Sequence, residues 1–174
     1  FYRSFNLFNY TNIFARVAYT KNIDQVRSLT NFENVIRTSS FFNSSFADDN
    51  VSAFGRIQRT FGKLRASLNL NFNYSKINQF IQGRQSLNES FTHTYSPGLR
   101  TNYKYAPNVG VKYRYSVSNN NQGDTSTTFF TNAPSIEFDA YVWKAFTFKS
   151  NYSYNTLSDK TGEINSFQNW DASL

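Results

Sequence analysis

Two carboxylates, Glu137 and Asp139, stand two residues apart in the run SIEFD at 135–139. Paired carboxylates are the equipment of glycoside hydrolysis. That chemistry needs them to face each other across a cleft of roughly 5–10 Å. Alternate positions of one strand lie on the same wall, so a pair lining a polar face is the expected arrangement. His93 is the single histidine. A catalytic base needs a placed nucleophile and an orienting carboxylate. Its neighbours Thr92, Thr94 and Tyr95 supply no such set, so it reads as a wall residue. Asp48, Asp49 and Asn50 offer oxygens to Ca²⁺, but a full site takes about 6–8 oxygens at defined spacing. A turn or bulge is expected there instead. Gly123-Asp124 and Gly162-Glu163 lack the flanking pattern of a phosphate loop. No enzyme activity, cofactor or metal is expected from these residues.

The basic residues carry more weight. Arg16, Arg56, Arg65, Lys112, Arg114 and Lys149 all fall on the polar side of alternating runs. On one face they would line an interior with positive potential. Pairing with Glu137 and Asp139 is the default expectation, and attraction of anionic solutes is the alternative. The net charge is +7, which raises nucleic-acid binding. The cations are spread singly, with no basic run and no RNA-binding aromatic motif, so no nucleic-acid partner is expected.

What must position these residues is a set of strands. The chain has 174 residues, with aromatic residues at 19% and charged residues at 17%. The charged share lies below the roughly 25% usual for soluble domains, and Asn and Ser fill the gap. Mean hydropathy is −0.58. No run of about 18 apolar residues exists, which excludes a helical membrane protein. Low hydropathy suits a transmembrane barrel, where half of each strand faces a polar interior. Cysteine is absent, which excludes disulfides, thiolate metal sites and a Cys nucleophile. Methionine is absent too, and no signal peptide is visible at Phe1. A processed chain or a piece of a longer one is therefore expected.

From Leu64 the sequence alternates strictly. Leu64, Ala66, Leu68, Leu70, Phe72 and Tyr74 oppose Arg65, Ser67, Asn69, Asn71, Asn73 and Ser75. Period two means a strand with unlike faces. Strands of soluble proteins usually run about 5–6 residues, whereas a membrane-crossing strand needs about 9–11. Other strands are expected at about Tyr10–Gln25, with Phe14 an exception to the alternation, and at Val51–Thr60, Ser86–Arg100 and Asn108–Val117. Two more are expected at Thr128–Val142, interrupted by Pro134, and from Phe146 to about Asn155. Val35–Phe42 is a further candidate, and one more strand runs to Leu174. Pro97 lacks a ladder N–H, so a bulge is expected near Pro97-Gly98. The result is an all-β, antiparallel up-and-down meander of about eight strands, a single-domain segment of a transmembrane outer-membrane β-barrel.

The connections from Gly62 onward read as alternately short and long. Phe61-Gly62-Lys63, the region near Tyr103–Tyr105, and Trp143-Lys144-Ala145 are short. The interval at Gly83, Ser118–Ser126 and Ser158–Glu163 are longer and polar. Outer-membrane barrels have tight turns at one end and longer loops at the other. Trp143, Phe146, Tyr103 and Tyr105 lie near short turns, and Tyr74, Phe80, Tyr152 and Tyr154 toward the long loops. Two aromatic girdles would be placed so.

The stretches FNLFNYTNIFARVAYTKNID (5–24), GKLRASLNLNFNYSKINQFIQG (62–83) and NSFQNWDASL (165–174), with the Tyr/Asn alternations between them, resemble the barrels of Bacteroidota TonB-dependent receptors and outer membrane β-barrel family proteins. The resemblance covers most of the chain in texture and strand order, without a short invariant motif. It implies a 22-stranded barrel with an N-terminal plug domain, energised by an inner-membrane TonB complex, and a surface lipoprotein as a further partner. The chain has no plug, too few strands and no terminal aromatic residue, so a partial barrel without its plug is expected. Three readings follow. The first is the wall of a receptor that takes up a siderophore, glycan or peptide through the bacterial outer membrane. The second is a small eight-stranded barrel with a structural or adhesive role, its interior nearly filled by side chains. The third is a soluble β-protein that binds sugar. The first is preferred.

Overall fold

The computed structural model describes residues 2–6, 11–33, 36–81, 84–104, 107–142 and 146–174. Among these the chain forms eleven strands and no helix. They are β1 (Tyr2–Asn6), β2 (Thr11–Asn22), β3 (Gln25–Glu33), β4 (Ile36–Ser44), β5 (Asp48–Phe61) and β6 (Leu64–Ile81). After them come β7 (Arg84–Thr101), β8 (Asn108–Gln122), β9 (Thr125–Val142), β10 (Phe146–Ser158) and β11 (Glu163–Ser173). One antiparallel meander runs β1-β2-β5-β6-β7-β8-β9-β10-β11, and the sheet does not close. The expectation of about eight strands was short. It missed β1 and β3, whereas the Val35–Phe42 candidate falls on β4, which pairs with β3 in a hairpin.

That hairpin is an insertion. β5 runs out at Asp48, while β6 continues to Ile81. β3 takes the vacated edge, pairing in parallel through Leu29↔Phe80 and Thr30↔Ile81. Phe80 therefore leaves the expected girdle. Its ring packs edge-on to Phe42 at 4.8 Å and lies 5.8 Å from Phe46.

The prolines are absorbed without a bulge. β7 keeps one register with β8 on both sides of Pro97, the ladder lapsing only at Ser96 and Pro97. β9 runs unbroken through Pro134, and its ladder with β10 lapses there and resumes in register. Pro134 faces Tyr113 of β8. Losing one ladder donor costs less than re-aiming every side chain beyond it, as a register slip would do.

Ser118–Ser126 is not a long loop. β8 continues through its Asn run and turns at Gly123-Asp124, with Asn119↔Thr128 and Gln122↔Thr125 paired. Gly62 (φ +59°) and Gly123 (φ +57°) each stand first in a two-residue hairpin connection. Positive φ at that position matches a II′-type turn and its glycine preference. Ser158–Glu163 likewise contracts, to residues 159–162. There the Asp159 carboxylate accepts from Thr161 N, Thr161 Oγ1 and Gly162 N at 2.7, 2.6 and 3.1 Å. Polar composition had been taken for loop, but hydrogen-bonded polar strands are what it builds. The Gly83 interval also contracts, because Arg84 and Gln85 belong to β7 and pair with Ile81 and Phe80. Residues 82 and 83, the Trp143-Lys144-Ala145 turn and Tyr105 lie outside the described residues.

The register sorts the residues cleanly. Direct cross-strand partners share a face. One such row runs Ala15, Gly55, Leu70, Tyr95, Tyr115 and Asn132. Its face also carries Val17, Ile57, Leu99, Val111 and Ile136, all exposed, Val17 at 71%. The opposite face is polar. Hydroxyls pair across it between Thr92 and Ser118 (3.0 Å) and between Thr94 and Ser116 (2.9 Å). Phe14, the exception in sequence, lies on this polar face beside Phe54, ring centroids 5.6 Å apart.

No packed core lies between layers. Only Val117 and Ala133 are buried apolar residues among those described, and the accessible surface is 12,337 Å². A globular protein of this mass would expose roughly 8,800 Å².

Candidate functional site

The eight charged residues singled out by sequence, Arg16, Arg56, Arg65, Lys112, Arg114, Glu137, Asp139 and Lys149, share the polar face. Register fixes this through Arg56↔Asn69, Lys112↔Ser135, Arg114↔Ala133 and Asp139↔Lys149.

The structure draws most of them into one cluster near the Gly62 turn. Lys112 Nζ donates to Glu137 Oε1 at 2.8 Å. Arg100, which sequence reasoning passed over, donates through Nη1 to Glu137 Oε2 at 3.3 Å and through Nη2 to Asp139 Oδ2. Glu137 and Asp139 are thus both engaged by cations on one wall and do not face each other across a cleft. The missed signal was simple: Arg100 continues the even-numbered polar series of β7 beyond Ser96 and Gly98. Gly98 and Gly110 open the floor beside the cluster. A methyl on Gly98 would come 3.2 Å from Ser67 Oγ and 3.3 Å from Lys112 Cγ. The resulting recess, about 150 Å³, is lined by Arg56, Arg65, Arg100 and Lys112 and also by Glu137. Arg16, opposite Phe54, and Arg114, 3.5 Å from Asn155 Oδ1, do not line it. Lys149 and Asp139 border a neighbouring recess.

A second polar node lies at the other end of the sheet. Arg27 of β3 meets Asp48 of β5 at 2.8 Å, with both side chains over nine-tenths buried. Arg27 Nη1 also donates to Asn78 O at 2.5 Å. Asp48 Oδ1 accepts from Asn78 N at 2.9 Å. Asn78 Nδ2 donates to Ala47 O at 2.9 Å, and Gln85 Nε2 donates to Asn78 Oδ1 at 2.7 Å. Burial pushes the Asp48 carboxyl up, but Arg27 and Asn78 together outweigh it and hold it below the usual carboxylate range. Sequence gave no signal for this node, whose members are up to 58 residues apart. It also separates the two carboxylates that sequence set side by side. Asp49 is the adjacent strand residue, points to the other face, and accepts from Tyr19 OH at 2.7 Å. The two carboxylates do not converge, and no group of three or more metal-ligating side chains forms among the described residues.

His93 sits on the apolar face among Phe72, Phe91 and Tyr95, with centroid distances of 6.5, 5.4 and 5.5 Å. Its Nδ1 is buried without a hydrogen-bond partner. The Ser116 hydroxyl donates to the His93 backbone carbonyl at 3.4 Å rather than to the ring.

Compared with family models, curated proteins and solved structures, the chain matches none.

Proposed function

We propose that this chain is wall from an outer-membrane β-barrel, of the kind that TonB-dependent receptors use to take up a nutrient such as a siderophore, glycan or peptide. The observation that carries the reading is the pair of unlike faces on an open, single-layer sheet. Val17, Ile57, Leu99, Val111 and Ile136 stand on the uncovered apolar face. Exposed apolar surface on this scale marks a contact with lipid or another apolar partner. β2 and β5 to β11 run 11–18 residues each, enough to cross a bilayer at a tilt. On this reading lipid covers the apolar face and water the polar one. Further strands continue the edges at β1 and β11, since lipid tolerates no open edge. The chain acts as a wall without catalysis. A plug, the TonB complex and a surface lipoprotein belong to the proposal through the family resemblance alone. The size of the sheet supports this reading over a filled eight-stranded barrel.

Single-cysteine scanning tests it, because the native chain has no cysteine. In proteoliposomes, Cys at Val111 or Ile136 is expected to resist a water-soluble maleimide and to be quenched by lipid-borne nitroxide. Cys at Ser67 or Ser116 is expected to react and to escape quenching. Equal aqueous reactivity at all four would reject the reading.

A further inference from the structure

We infer that the recess between Arg56, Arg65, Arg100 and Lys112 is an oxyanion-binding site, suited to a phosphate or carboxylate group offered from the hydrated side of the sheet. This deepens the proposed wall function and rests on the polar face being wet.

Three observations converge. First, Arg65 and Arg100 are direct cross-strand partners. Like charges directly opposite are destabilising unless something negative lies between them. Second, the carboxylates within reach do not balance the cluster. Glu137 is engaged by Lys112 and Arg100, and Asp139 by Arg100. Four cations against two carboxylates leave two positive charges uncompensated. Neither carboxylate is bonded to Arg65 or Arg56. Arg56 Nη2 reaches only a neutral acceptor, Gln58 Oε1, at 2.7 Å. Arg65 Nε is buried with no partner. Third, room is kept for a ligand. Gly98 and Gly110 stand in adjacent strands where any side chain would project into the recess. The volume of about 150 Å³ admits a small oxyanion, and guanidinium groups bind such planar or tetrahedral oxygens bidentately.

The test is a titration of the purified protein in lipid nanodiscs with inorganic phosphate, followed by calorimetry at low ionic strength. Saturable binding is expected, weakened about tenfold or more in Arg65→Gln and in Arg56→Gln. Gly98→Ala, which fills the floor and removes no charge, is expected to weaken it as well. Arg16→Gln, on the same face outside the recess, is expected to bind as the native protein does. A loss in Arg16→Gln equal to that in Arg65→Gln would reduce the effect to general positive potential and overturn the site. Absence of saturable phosphate binding in protein that has inserted into the bilayer overturns the site and leaves the barrel reading standing. Phosphate binding that obeys the variant pattern in protein that fails to insert overturns the barrel reading and leaves the site.

Discussion

Arg27 and Asp48 form an ion pair of 2.8 Å across 21 residues of sequence, each side chain more than nine-tenths buried. It ties the inserted β3–β4 hairpin to the place where β5 begins and β6 passes by. Removing one partner from such a pair leaves a buried charge uncompensated, at a cost of about 3 kcal/mol. Asp48→Ala is therefore expected to loosen the hairpin. Hydrogen exchange should speed up over 25–44, while the β6–β7 ladder keeps its protection. Unchanged exchange in the hairpin would show that Phe42, Phe46 and Phe80 hold it unaided.

The same pair sets an acid response. The Asp48 carboxyl is held below its ordinary value in the folded state. Its contribution is complete above the unfolded carboxylate value of about 3.9 and fades as pH falls through the lower folded value. The hairpin should accordingly stay protected at neutral pH and open to proteases only in strong acid, whereas Asp48→Asn, with no carboxyl to protonate, should be less protected already at neutral pH and lack this acid step.

On the apolar face, Ile136 is 52% exposed and lies in the row of Leu99 and Val111. Ile136→Arg should lower stability in bilayers by about 2–4 kcal/mol if the site lies near the midplane. The neighbouring Ser135→Arg, on the polar face, should cost well under that. Denaturant titration after refolding into liposomes compares the two.

The pair Lys112–Glu137 is partly exposed, at 48% and 30% of the side-chain surface. Solvent screening limits its worth to about 0.5 kcal/mol. A double-mutant cycle with Lys112→Ala and Glu137→Ala should return a coupling of that order, shrinking as salt rises. A coupling several-fold larger would mean that the cluster is drier than its exposure indicates.

Gly62 turns with φ +59° and open space around its Cα. Gly62→Ala meets no clash, so its cost is conformational, about 1 kcal/mol. Gly98→Ala has ordinary backbone but crowds Ser67 and Lys112. The first should slow refolding or shift stability without touching phosphate binding, whereas the second should act on binding.

The amino-acid sequence determined the strands and their faces. Period-two alternation in Leu64–Ser75 and Asn108–Val117 separates apolar from polar side chains, because successive residues of a strand must point opposite ways. The meander followed from the same pattern and its turn glycines. It thereby also placed Arg16, Arg56, Arg65, Lys112, Arg114, Glu137, Asp139 and Lys149 on a common face. What sequence misjudged was polar strand read as loop at Ser118–Ser126, and within 26–50 it offered Val35–Phe42 but not β3. Asn and Ser are common in turns, and only a partner strand reveals that their backbone groups are paired. Tertiary structure alone decided the rest. Arg65 meets Arg100, and Arg27 meets Asp48, through register and through an inserted hairpin. Those neighbours are set by long-range pairing, which a local pattern does not encode.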